Sequence, residues 1–189
     1  MNRVIVALTP TEVYRGKGNP LVRVQLSCLY SEAFGSLDCD CARQLDASLA
    51  MLNKAGEGVL IYFPNTDARG LGLSTKVMLM EAEQSLHLGP FRAARASDVP
   101  YQNFDCLKYV PRVLAHLQIK GSVRLLSNNP QKERGLVAAG LTIESMVPLA
   151  INENDLSAEA REEMLEKRTL LGHLSTSVDS NRPSEADSD

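Results

Sequence analysis

The chain has 189 residues, 44% of them hydrophobic and 23% charged, with a net charge of −3 at pH 7. That length suits one domain with a full core, and the composition is that of a soluble globular protein rather than a disordered or membrane-spanning one. The acidic balance excludes a general electrostatic affinity for nucleic acid, so any phosphate must be held by a local cluster of Arg, Lys and backbone N–H groups.

In chain order, residues 1–19 are weakly patterned, and the apolar stretch at 4–8 is too short for a signal segment. No run approaches membrane-spanning length, and a cytoplasmic address is expected. There, the four cysteines serve as thiols or metal ligands rather than disulfides. A turn at 16–20 leads to a strand at 21–26 and then to the segment that holds three of the cysteines. Leu45, Leu49 and Leu52 predict a helix over 43–54 that stops at Ala55-Gly56. A buried strand follows at 58–63, a loop at 64–73 and a helix at 76–86. Residues 89–104 read as a loop or short elements. A helix at 107–117 carries Pro111 in its first turn. A strand at 122–126 ends in Ser127-Asn128-Asn129-Pro130, a helix at 131–139 is capped by Gly140, and a last strand spans 142–147. A charged helix over 157–171 is expected to present a solvated face around Glu159 to Glu163. The polar, acidic end of the chain, 176–189, reads as a disordered tail behind a domain at 1–175. The alternation predicts an α/β (α+β) fold, a mixed β-sheet flanked by helices.

Cys28, Cys39 and Cys41 form a C-x10-C-x-C pattern. In an extended segment Cys39 and Cys41 would point to the same side, and Cys28 could close a third vertex. Three protein ligands leave one tetrahedral position open, the arrangement of a catalytic rather than a structural zinc. The competing reading is three buried thiols. Cys106, in an apolar helix, reads as core, and His87 and His116 as solvated or packed.

Several collinear segments resemble GTP cyclohydrolase II over roughly residues 20–175. They are Leu21 to Val24, Cys28, Phe34-Gly35-Ser36-Leu37-Asp38-Cys39-Asp40-Cys41, Gln44-Leu45, Gly58 to Tyr62, Arg69-Gly70-Leu71-Gly72-Leu73, Val123 to Pro130 with Lys132, and Leu171-Gly172-His173-Leu174. The resemblance implies a homodimeric zinc hydrolase of riboflavin synthesis that opens the imidazole ring of GTP at C8, releases formate and removes pyrophosphate. It implies one Zn2+ per chain on Cys28, Cys39 and Cys41, with Mg2+ accompanying the nucleotide. Arg23, Gln44, Asp67, Arg69, Ser127 and Lys132 match substrate-binding positions, and Asp67 and Asp98 fall at the catalytic ones. The step from Asn128-Asn129-Pro130 into a helix also suggests an anion site at its N-terminus. No nucleic-acid or membrane partner is implied.

The chain also departs from the family. Gln25-Leu26-Ser27 stands where His-Ser-Glu usually precedes the first cysteine. Thr66-Asp67-Ala68-Arg69 replaces Gln-Glu-Gly-Arg, and Met80 stands where a tyrosine is usual. Pro100 or Gln102 takes the place of an arginine near the α-phosphate, with Arg92 and Arg95 as stand-ins from the same stretch. These changes predict an enzyme that opens the ring of GTP or a related purine nucleotide but retains a formylated product or the pyrophosphate. The alternative is an impaired zinc- and nucleotide-binding paralogue with a regulatory or sensor role.

Overall fold

A computed structural model describes residues 6–8, 18–100 and 103–174 of the chain. The expected tail at 176–189 lies outside these residues. Strands β1 (Val6–Leu8) and β2 (Leu21–Leu26) are followed by the short helix α1 (Leu29–Glu32), α2 (Cys41–Ala55) and β3 (Val59–Phe63). A single irregular turn, α3 (Asp67–Gly70), leads into α4 (Leu73–Leu86) and α5 (Pro90–Ala96). A 3-10 turn (Asp105–Tyr109) runs into α6 (Val110–His116), then come β4 (Val123–Leu126), α7 (Pro130–Ala138), β5 (Ile143–Val147) and α8 (Ala158–Leu171).

The five strands form one mixed sheet in the order β1-β3-β2-β4-β5. β1 runs antiparallel to β3, and every other neighbouring pair is parallel. The sequence showed β2 to β5 but left β1 in an unpatterned stretch, because a three-residue edge strand is too short to display a period. Parallel strands are covered on both faces, and the core divides accordingly. Val22, Val24, Val59, Ile61, Phe63, Val123 and Leu125 pack on Leu107, Val110, Leu114 and Leu136 on one face. Leu21, Leu60 and Leu126 pack on Leu52, Leu149, Leu156 and Ala160 on the other. Thus α6 and α7 cover one side, and α2 and α8 the other.

Alternation along β2 puts Arg23 and Gln25 on the α2/α8 face, where both are buried. Adjacent β2 and β4 send their next long helices, α2 and α7, to opposite faces. That creates a crevice at the carboxyl ends of the two strands, the place where open α/β sheets bind ligands. Residues 89–104 contain a regular helix, α5, that begins with Pro90 at its first position. Among the described residues, no helix is long and apolar enough to cross a membrane.

Candidate metal centre and nucleotide cavity

Cys28 ends the β2 segment as the N-cap of α1, in an extended conformation. Cys41 is the first residue of α2 and Asp40 is its N-cap, so Cys39 and Cys41 do not share an extended segment as expected. A turn into the helix, not strand alternation, brings the two sulfurs together. The three Sγ atoms lie within 4.8 Å of one another, and Cys28 and Cys39 are 3.7 Å apart. Tetrahedral Zn–S bonds of about 2.3 Å require sulfur separations of roughly 3.8 Å. The donor set therefore fits one thiophilic ion, which Cys28, Cys39 and Cys41 would hold at the cavity wall. The crowded sulfurs share their protons unequally. Accepting from both neighbouring thiols drives the Cys39 pKa well down, while donation to Cys39 pushes Cys28 up to about 12.

Asp40 is 2% exposed. Its Oδ1 accepts from Lys167 Nζ at 2.7 Å and its Oδ2 from Gln44 Nε2 at 2.8 Å. Gln44 Oε1 accepts from Arg23 Nη2 at 3.0 Å. Arg23 also donates to Gln25 Oε1 and to Leu126 O, and burial lowers its pKa to about 10. Gln25 passes the chain on to Glu32 Oε1 at 2.8 Å, and Tyr62 donates to the other oxygen of Glu32. Glu32 of α1 thus sets a carboxylate beside Gln25.

Ser27 binds the loop after β3: its N–H donates to Thr66 Oγ1 at 2.7 Å, and Thr66 N–H donates back to Ser27 Oγ at 2.9 Å. In that loop Ala68 and Arg69 both adopt left-handed conformations, with φ of 50° and 58°. The Arg69 guanidinium lies 4.3 Å from the Phe91 ring centre and 3.9 Å from Glu163 Oε1. At the end of β4, Ser127 Oγ accepts from Asn129 N–H at 3.1 Å. Lys132 is buried on the first turn of α7 and donates to Val24 O at 2.9 Å. Burial, aided by Arg23, lowers its pKa to about 7.

One cavity collects most of the residues expected at the site: Arg23, Cys28, Cys39, Cys41, Gln44, Arg69, Ser127 and Lys132. Asp67 does not line it. It is buried nearby, and its Oδ1 accepts from Leu29 N–H at 2.6 Å, which caps the start of α1. Asp98 is exposed on the turn after α5 and is also absent from the lining. The α7 N-terminus differs from the expected anion site, because Asn129 Oδ1 already accepts from Gln131 and Lys132 N–H. Arg92 pairs with Glu166 on the outside, Arg95 and Pro100 are exposed, and none of the three lines the cavity. Gln102 lies outside the described residues. From α4 the lining takes Lys76, Leu79 and Glu83 rather than Met80.

The cavity also contains Glu163, Lys167 and His173, from α8 and the residues after it. Glu163 was expected on a solvated face and is 6% exposed. The spacing Glu163–Lys167 and the Gly172-His173 motif were visible in the sequence, but a run of charges carries no mark of which face is buried.

Comparison with known proteins agrees with this geometry. A sequence model of GTP cyclohydrolase II matches residues 2–148. Riboflavin biosynthesis protein RibBA of Nocardia farcinica (strain IFM 10152) is 37% identical over 176 residues, covering 89% of this chain and 39% of that protein. The RibBA proteins of Mycobacterium ulcerans (strain Agy99) and Mycobacterium tuberculosis (strain ATCC 25177 / H37Ra) are 36% and 37% identical, covering 84% and 81% of this chain. The chain spans only 36% and 35% of the length of those two relatives. With its match to the family over most of its length and a cysteine triad at the carboxyl ends of a parallel sheet, the chain belongs to the GTP cyclohydrolase II family.

Proposed function

We propose that the chain is a zinc-dependent hydrolase that opens the imidazole ring of a purine nucleotide, GTP first among them. The observation that carries this reading is the placement of three converging sulfurs on the wall of a cavity that also holds Gln44, Arg69 and Lys132. Cys28, Cys39 and Cys41 would hold the ion. When bound there, Zn2+ supplies a Lewis acid that brings the pKa of water toward neutrality. Gln44 is fixed by Asp40 and Arg23, so its amide meets the substrate in one orientation. Arg69, laid over Phe91, offers a flat cation for a base or phosphate. Lys132 has a pKa near 7, so an arriving phosphate restores its full charge. Mg2+ enters with the phosphates, and no ligand for it is assigned on this chain.

No residue among those described at 89–100 brings an arginine to the cavity, and Met80 offers no proton. Ring opening is therefore expected to run ahead of pyrophosphate release. Zinc-loaded protein incubated with GTP, with formate and pyrophosphate measured separately, tests the reading. Turnover of the ring with less than stoichiometric pyrophosphate is expected. Equal release of both removes the argument for divergence, and zinc-loaded protein that binds GTP without turnover returns the chain to a sensor role. Cys39→Ser is expected to abolish stoichiometric zinc and ring opening together, since two thiolates make a weak, misshapen site. A homodimer in the cytoplasm, working in riboflavin synthesis, is the assignment by family.

A further inference from the structure

The family match ends at residue 148, before α8 begins at Ala158. Yet α8 buries three charged side chains, Glu163, Glu166 and Lys167. Burying an ion costs several kcal/mol unless it is paired and hydrogen-bonded, so each needs a use. Glu166 has a local one, because its Oε2 accepts from Phe91 N–H at 3.0 Å at the start of α5. Lys167 instead reaches out of its helix, with Nζ 2.7 Å from Asp40 Oδ1 and 3.2 Å from Glu163 Oε2. Asp40 is the residue between two of the three sulfur donors.

One carboxylate thus serves two sides of the site. Oδ1 is held by Lys167, and Oδ2 holds the Gln44 amide that faces the cavity. The stretch from Ser36 to Asp40 has no helix or strand of its own to fix it. A second tie from the same helix reaches it, since Ser157, the N-cap of α8, donates from Oγ to Leu37 O at 2.6 Å. Charge points the same way. Three thiolates and Asp40 would carry four negative charges against two on a zinc ion, and Lys167 is the cation in contact with that group.

We infer that Lys167 is a positioning residue: through Asp40 it fixes the Cys39-Asp40-Cys41 turn for metal capture and orients Gln44 toward the substrate. The inference rests on the metal role proposed above for the three cysteines. It makes α8 part of the metal site although this helix supplies no ligand.

The test compares wild type with Lys167→Met for Zn2+ affinity, by competition with a chromophoric chelator, and for the ligand-field absorption of the Co2+-substituted protein. Loss of a group that orients metal ligands typically weakens metal binding about 10- to 100-fold. That loss is expected here, with altered Co2+ bands and a raised KM. Lys167→Arg, which keeps a cation against Asp40, is expected to recover part of both readouts. If K167M fails to fold, the double variant E163Q/K167Q, which also removes one of the two carboxylates paired with Lys167, takes the same measurements. A folded variant with wild-type Zn2+ affinity and an unchanged Co2+ spectrum, differing only in melting temperature, overturns the inference. Wild-type protein that binds no zinc defeats the metal reading itself, and the two failures are thereby told apart.

Discussion

Lys132, proposed above as a phosphate partner, is a residue whose burial works against the fold that carries it. Its ammonium is buried on the first turn of α7 with one hydrogen bond, to Val24 O. Burial holds its pKa at about 7, against 10.5 for a free lysine. Below pH 7 both folded and unfolded chains bind the proton, and the folded state bears the full cost. Between about pH 7 and 10.5 only the unfolded chain keeps the proton, so stability rises with pH across that window. The cost near pH 7 is on the order of 4 kcal/mol, against about 1–3 kcal/mol from the charged hydrogen bond. Lys132→Met is therefore expected to stabilise the protein by roughly 2 kcal/mol at pH 7 in urea unfolding. It should flatten the rise in stability toward pH 10 and weaken nucleotide binding at least tenfold. A destabilised K132M would show that burial costs less than the hydrogen bond contributes, and one that keeps its affinity removes Lys132 from the phosphate role. That Lys132, Gln44 and the three cysteines share one cavity was legible because each sits in a short motif. Asp67 was read as catalytic from the same kind of motif, yet its carboxylate caps α1. A motif fixes which residue is present, and the fold decides what its oxygens face.

At the scale of elements, the loop after β3 depends on close backbone approach. A Cβ built on Gly70 would lie 2.0 Å from Asn103 O, and Gly70 has a φ of 96°. The neighbouring Arg69 O accepts from Asn103 N–H at 2.9 Å, so the two segments cannot part without releasing Arg69. Gly70→Ala is expected to cost about 2–4 kcal/mol from overpacking plus backbone strain. It should also lower nucleotide affinity by moving the guanidinium off Phe91, and a denaturant midpoint equal to that of wild type would show that the loop accommodates the methyl. At Ala68, also left-handed, the methyl packs with Leu79 and Ala94. Burying one methyl is worth about 0.8 kcal/mol, which offsets part of the strain of about 1–2 kcal/mol. Helices α2, α4, α7 and α8 were legible, α2 from its apolar period and α7 from its closing glycine. The buried face of α8 was not, because the same Glu and Lys spacing serves a solvated helix equally well. The register that places Lys167 on Asp40 spans 127 residues of sequence, and no local pattern encodes it.

Across the whole molecule, the cavity closes only when the end of the described chain returns to the sheet. Leu174 N–H donates to Asn128 O at 2.9 Å, which pins the segment after α8 to the end of β4. His173 lies just before this contact, and its Nε2 is buried with no hydrogen-bond partner among the described residues. Burial and then the charges of Lys167 and Lys132 lower its pKa to about 4, with Asp40 acting in the opposite sense. A histidine whose folded pKa lies below its unfolded value of about 6.5 supports the fold while neutral. Above pH 6.5 neither state binds the proton. As the pH falls from 6.5 to 4 the unfolded chain takes up the proton first, and stability is lost across that window. His173 is partly exposed, so the loss attributable to it is discounted to about 1–2 kcal/mol. His173→Gln removes the titration while keeping a polar side chain of similar reach. Its unfolding free energy should therefore fall less between pH 7 and 4 than that of the wild type, by that amount. Identical pH slopes for the two proteins would place the acid sensitivity elsewhere. A smaller slope for H173Q would locate it where the segment after α8 meets the end of β4, at the edge of the cavity.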